Sequence, residues 1–156
     1  MNRQHQLNRI NYITELIASN KQLFNTSFIP EIKARGISKV VAKLPLQSHV
    51  QYGDTILYIN ELLDEDGAIK EYRYGWEIAN TPRRRLSKQA RHIFAFDKQA
   101  HPEPPHQVDT DPFHHHHVPG DMSKRKSTNI QSLEDVLSIL NDYIAANLEY
   151  NSNHSF

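Results

Sequence analysis

The chain has 156 residues, 38% of them hydrophobic, and its 18 Lys and Arg balance 18 Asp and Glu. One domain with one core is expected at this length, and zero net charge removes any whole-chain argument about partners. The absence of cysteine excludes disulfides, cysteine metal sites and thiol catalysis. No apolar run approaches the ~20 residues that span a bilayer, and no h-region follows the first residues, so a cytoplasmic protein without membrane contact is expected.

Residues 3–24 read as an amphipathic helix, with Leu7, Ile10, Ile13, Leu16, Ile17 and Phe24 near helical spacing. Pro30 and Gly36 suit the two ends of a short second helix. A strand is expected from Ile37 to Leu46, where Val40 and Val41 favour extension. Tyr52-Gly53-Asp54 reads as a turn. Thr55 to Leu63 and Ala68 to Ile78 then form a β-hairpin about the turn Asp64-Glu65-Asp66-Gly67. In its second strand Tyr72, Tyr74, Trp76 and Ile78 alternate with Arg73, Gly75 and Glu77, which separates aromatics from charges. The aromatics read first as core and only second as a base-stacking platform.

Asn80 to Ala90 is a basic loop containing Arg83, Arg84, Arg85 and Lys88, followed by Arg91. These five cations suit a nucleic-acid backbone as well as they suit a solvated loop. Arg91 to Phe96 is a further strand. From 97 to 121 five prolines argue against regular structure, and so long a loop is functional or disordered. Ser132 and Asp135 resemble a capping box for a last helix with the stripe Leu133, Val136, Leu137, Leu140 and Ile144. The tail from Asn151 to Phe156 is expected to fray.

The fold expected is therefore α+β, an antiparallel sheet of about four strands flanked by N-terminal and C-terminal helices. A single domain covers 1–150. Within it, residues 1–36 are helical, 37–96 form the sheet, 97–130 a His/Pro/Asp loop and 131–147 a helix, and 151–156 is a tail.

Ile93 to Val118 holds six of the ten histidines, including His114-His115-His116-His117. A run of four inside the chain is unlike an expression tag. Histidine reaches both proton states near neutral pH and also binds metals, so the segment points to proton transfer or to a metal site.

Read in order, the chain presents a DG turn, Tyr72/Tyr74/Trp76, Phe96-Asp97 with His101 four residues after the Asp, His114/His115/His117-Val118, and Leu133-Glu134-x-Val136-Leu137. This series, over roughly residues 50–145, resembles the TumE family of toxins from toxin–antitoxin modules. The resemblance departs at Gly75, where the family usually has His, at Ala95, where it often has Arg, and at Pro102, where a second His is common. Arg73 and Arg91 are the nearest replacements for that Arg.

The resemblance implies a toxin that acts on RNA or translation. It also implies a cognate antitoxin partner, expected to be a helix-turn-helix protein, and leaves an oligomer open. RNA carries its own nucleophile, the 2′-hydroxyl, so a base, an acid and a cation suffice to cleave it. If the His run is extended, His114 and His116 share one face and His115 and His117 the other. The pair His115 and His117, which matches the family pattern, is the first candidate for base and acid. His101 is a further candidate, Asp97 an orienting carboxylate and Arg73 a phosphate-holding cation. No cofactor is expected. One alternative is a divalent-metal (Zn or Mg) hydrolase or nuclease built from His101, His106, His114–His117, Asp97, Asp109, Asp111 and Asp121, although no His-x-x-x-His spacing supports it. A second is a non-catalytic nucleic-acid or protein-binding module.

Overall fold

Two periodicities build the fold, period two in the middle of the chain and period 3.6 at its ends. The computed structural model describes residues 3–99, 110, 112–116, 126–151, 154 and 156, with backbone alone at 89, 114–116, 126 and 127. Helix α1 (Arg3–Ser19) is followed by strands β1 (Glu31–Arg35), β2 (Lys39–Pro45), β3 (Thr55–Leu63) and β4 (Ile69–Ile78). A single-turn helix α2 (Lys88–Arg91) leads into β5 (His92–Lys98). Two short strands, β6 (Phe113–His116) and β7 (Lys126–Ser127), precede helix α3 (Leu133–Ala146). The strands form one antiparallel meander in the order β1 to β7. Five strands carry the sheet and two short ones extend it beyond the four or so expected.

The β3–β4 hairpin lies where alternation placed it. Burial alternates through all nine residues of β3. At the turn, Asp64 Oδ1 accepts from the backbone N–H of Asp66 and Ala68 at 2.9 and 3.0 Å. Gly67 closes it at φ +85°, a conformation that side chains resist.

Both long helices cover the same face of the sheet. Beneath them lie Val40, Leu44, Leu57, Ile59, Tyr74, Trp76, Phe94 and Phe96, all buried. Tyr143 of α3 meets the rings of Trp76 and Phe94 at 5.5 and 5.6 Å. Ser132 caps α3 by accepting from Asp135 N at 3.1 Å, and Asp135 accepts from Gln131 N at 3.1 Å, close to the reciprocal cap expected.

α1 is held differently. Ile13 is its one fully buried aliphatic side chain, and Leu7 is exposed. Polar contacts dock the helix. Gln6 Nε2 donates to Gly36 O and Lys39 O at 3.2 and 2.9 Å. Arg9 binds both carboxylate oxygens of Glu61 at 2.7 Å, and Tyr74 OH donates to Glu61 Oε2 at 2.5 Å. Tyr12 OH donates to Glu134 and so ties α1 to α3.

Several expectations need correction. The first helix stops at Ser19, and Phe24 instead bridges to Leu46. The short helix expected between Pro30 and Gly36 is strand β1, paired residue for residue with β2. Five residues between Pro and Gly make a poor isolated helix. As an edge strand they gain a full ladder, Pro suits the approach to an edge, and Gly36 takes the hairpin turn at φ +60°. Regular structure also occurs inside the 97–121 segment, since Phe113–His116 pairs with β5. The tail is docked at its described positions. Phe156 packs on Phe94 and Phe96, and its carbonyl accepts from Asn129 N at 3.0 Å.

Candidate functional site

The face of the sheet away from α1 and α3 carries the polar members of each alternating strand. Register defines two rows across it. One runs Val41, Asn60, Arg73, Asp97, His114 and Ser127. The next runs Lys43, Tyr58, Gly75, Ala95 and His116.

Arg73 and Asp97 are direct cross-strand partners, and Arg73 Nη1 donates to Asp97 Oδ2 at 3.1 Å. Their side chains are 26% and 7% exposed, so the pair is largely withdrawn from water and screened less than a surface bridge. Arg73 Nη2 is buried and finds no hydrogen-bond partner among the described residues. Asp97, expected to orient a histidine, is thus engaged with Arg73 and is also the register partner of His114.

Two cavities meet the Arg73 side chain. One, of about 300 Å³, is lined by Lys39, Asn60, Asp97 and Lys98 among others. The second, of about 380 Å³, is lined by Lys43, Tyr58, Glu77, Lys88 and Arg91, with Ile56 and Pro45 on its apolar side. Arg73 lines both. The expected cations Lys88 and Arg91 therefore share a cavity with the expected phosphate holder Arg73. Arg83, Arg84 and Arg85 sit exposed around a turn closed by Thr81 and Arg84 and do not line it. Sequence reading missed Lys43 and Glu77. The signal available was their parity in β2 and β4, which puts them on the face of Arg73.

The histidine run divides by register. Residues opposite one another in an antiparallel pair share a face. His114 and His116 therefore belong to the Arg73–Asp97 face, while His115 is opposite Phe96 and belongs to the helix-covered face. His117 and His101 lie outside the described residues, as do His106, Asp109, Asp111 and Asp121. No group of three or more His, Asp or Glu side chains is placed to hold a metal ion among the described residues. Two other histidines are structural. His49 is buried, with Nε2 2.8 Å from Leu148 O and Nδ1 accepting from Gln51 N at 3.0 Å. His154 contacts the Tyr143 hydroxyl.

Tyr72, Tyr74 and Trp76 are core residues rather than a base-stacking platform. The Tyr72 and Tyr74 rings stack at 4.3 Å, and burial raises both phenol pKa values well above the ordinary range. The two departures Gly75 and Ala95 are register partners, and both are buried. No helix among the described residues is long and apolar enough to cross a membrane.

Comparison with known families matches residues 13–148 to the family described as Toxin TumE. No curated protein and no solved structure gives a significant match.

Proposed function

Because the chain belongs to the TumE toxin family, we propose that it disables RNA by histidine acid–base cleavage on the open face of its sheet. Family membership makes it the toxin component of a toxin–antitoxin system, with an antitoxin as partner. We further propose that the antitoxin is a small helix-turn-helix protein that covers this face, and that both act in the cytoplasm.

The observation that carries the reading is the position of Arg73. It lines both cavities, held by Asp97 and with Nη2 without a hydrogen-bond partner among the described residues, in the register row of His114. Cations lining the second cavity suit the phosphates of a bound strand.

One imidazole takes the proton of a 2′-hydroxyl, and its oxygen attacks the adjacent phosphorus. A second, protonated imidazole gives its proton to the departing 5′-oxygen as the P–O5′ bond breaks. The products are a 2′,3′-cyclic phosphate and a 5′-hydroxyl. Arg73 opposes the charge that gathers on the phosphoryl oxygens. Each acid–base group contributes ~10²–10⁴ in rate and such a cation a further ~10²–10³. Register favours His114 and His116 for the two proton transfers over His115 of the His115–His117 pair. His101 and His117 remain candidates.

The test is cleavage of end-labelled RNA in the presence of a chelator, with His101, His114, His115, His116 and His117 each replaced by Ala. Cyclic-phosphate products are expected, with a loss of roughly 10² or more for two of the five variants. Loss of wild-type activity on chelation would support the metal-dependent alternative. Toxicity that survives every substitution in a folded protein would indicate action by occupancy.

A further inference from the structure

The second cavity has a character that phosphate binding does not explain. Its cations stand beside two carboxylates, Glu31 and Glu77, and beside the apolar surface of Ile56 and Pro45. A phosphate seated deep there would meet the charge of Glu77, whose side chain is only 14% exposed. Arg91 is a loose counterion. Its Nε is 3.7 Å from Glu77 Oε1, beyond hydrogen-bond reach, and its Nη1 is committed to Leu86 O at 2.9 Å. The Glu77 carboxylate thus keeps acceptor capacity in a cavity of mixed polar and apolar lining that includes an aromatic ring, Tyr58.

Gly75 is the second observation. It is the register partner of Tyr58 on one side and Ala95 on the other. A glycine in the middle of a strand weakens it and often marks a place where something approaches the backbone closely. No positive φ requires glycine here. Nor does packing, since a Cβ would meet Glu77 Oε2 at 3.4 Å and Ala95 Cβ at 3.9 Å, both ordinary contacts. What the missing side chain provides is room for the Glu77 carboxylate, whose Oε2 would lie 3.4 Å from a Cβ at this position, beside the strand that carries Tyr58.

We propose that this cavity receives one unpaired guanine base of an RNA strand, stacked on Tyr58 with its Watson–Crick edge against Glu77. This rests on the RNA reading above and adds the base. Unpaired bases are recognised by stacking on aromatic rings and by hydrogen bonds to their edges. Guanine presents two adjacent donors, N1–H and the N2 amine, which match the two oxygens of an ionised carboxylate. Adenine, cytosine and uracil each present one such donor group flanked by an acceptor, which the carboxylate would repel. Lys43, Lys88, Arg73 and Arg91 then surround the base and receive the flanking phosphates.

Calorimetric titration of the full-length protein with 3′-GMP, 3′-IMP, 3′-AMP, 3′-CMP and 3′-UMP tests this. GMP should bind roughly tenfold or more tightly than AMP, CMP or UMP, and IMP, which lacks the N2 amine, should lose much of that advantage. Glu77→Gln should abolish the preference, since its amide sets a donor against a donor. Gly75→Val should push the Glu77 carboxylate aside and lower the guanine preference, and Tyr58→Leu should weaken binding of all five nucleotides. Near-equal affinity of the wild type for the four nucleotides would overturn the proposal. So would a guanine preference retained by a folded Glu77→Gln variant. Titration with uncleavable 2′-O-methyl oligonucleotides separates the two layers. Tight binding without base preference would sink the guanine pocket alone, and no binding of any oligonucleotide would remove the RNA reading with it.

Discussion

Replacing Arg9 by Met removes the cation that neutralises Glu61, a carboxylate with a side chain fully shielded from solvent. Two hydrogen bonds of 2.7 Å disappear, and Tyr74 OH remains as the carboxylate's partner. Breaking a buried pair from one side costs ~3–5 kcal/mol, because the remaining charge is left without compensation. Domains of this size have about 5–15 kcal/mol in total, so Arg9→Met should lose a large share of its stability. The opposite change, Glu61→Leu, should cost less. Arg9 is 17% exposed and can turn its guanidinium to water, though Tyr74 OH then lacks an acceptor. The double variant Arg9→Met/Glu61→Leu should recover most of the loss, with a residual of ~1–3 kcal/mol for the stranded hydroxyl. Urea unfolding of the four proteins gives these values and the coupling between the two sites. An Arg9→Met variant within 1 kcal/mol or so of wild type, or a double variant no better than the single, would refute the view that a buried ion pair docks α1.

Two further outcomes follow from single groups. Ser132→Ala should destabilise by ~0.5–2 kcal/mol in urea unfolding, since it removes the cap of α3, and Ser132→Gly should cost less. Burial raises the phenol pKa of Tyr72, Tyr74 and Tyr150, and that of Tyr143 to about 12. The folded state therefore holds these protons more tightly than the unfolded chain. Their contribution is complete below the ordinary tyrosine value of ~10 and is lost as pH rises from there through the folded values, at up to ~1.4 kcal/mol per unit for each group. Thermal unfolding should hold steady from about pH 8 to 9.5 and fall steeply by about pH 11, whereas a flat profile would mean that these hydroxyls are hydrated.

What was legible in the sequence were the elements whose signals are local. The β3–β4 hairpin states its own register through Tyr72, Tyr74 and Trp76 and through the Asp64–Gly67 turn. α3 states its start through Ser132 and Asp135 and its buried face through one continuous stripe. β1 was illegible because Pro30 and Gly36 suit the ends of an edge strand as well as those of a helix, and only pairing with β2 decides between them. The His run was harder still. Alternation alone divides four histidines into two pairs, but which pair joins Arg73 depends on the long-range register of β6 on β5. Lys43 and Glu77 gave only their parity, and one charge on the outer face of a strand looks like any other. Their meaning comes from sharing a cavity with Arg73 and Arg91.

The central claim, that the open face of the sheet carries out the cleavage, is tested most directly by the single-turnover rate of RNA cleavage in chelator for the variant Arg73→Gln/Asp97→Asn. Both charges leave together, so neither is left facing the loss of the other, and Asp97→Asn keeps the shape of the carboxyl group while Arg73→Gln leaves a shorter neutral side chain. A rate lower by ~10²–10³ with little change in thermal unfolding is the predicted result. Cleavage at the wild-type rate would place the chemistry elsewhere on the molecule.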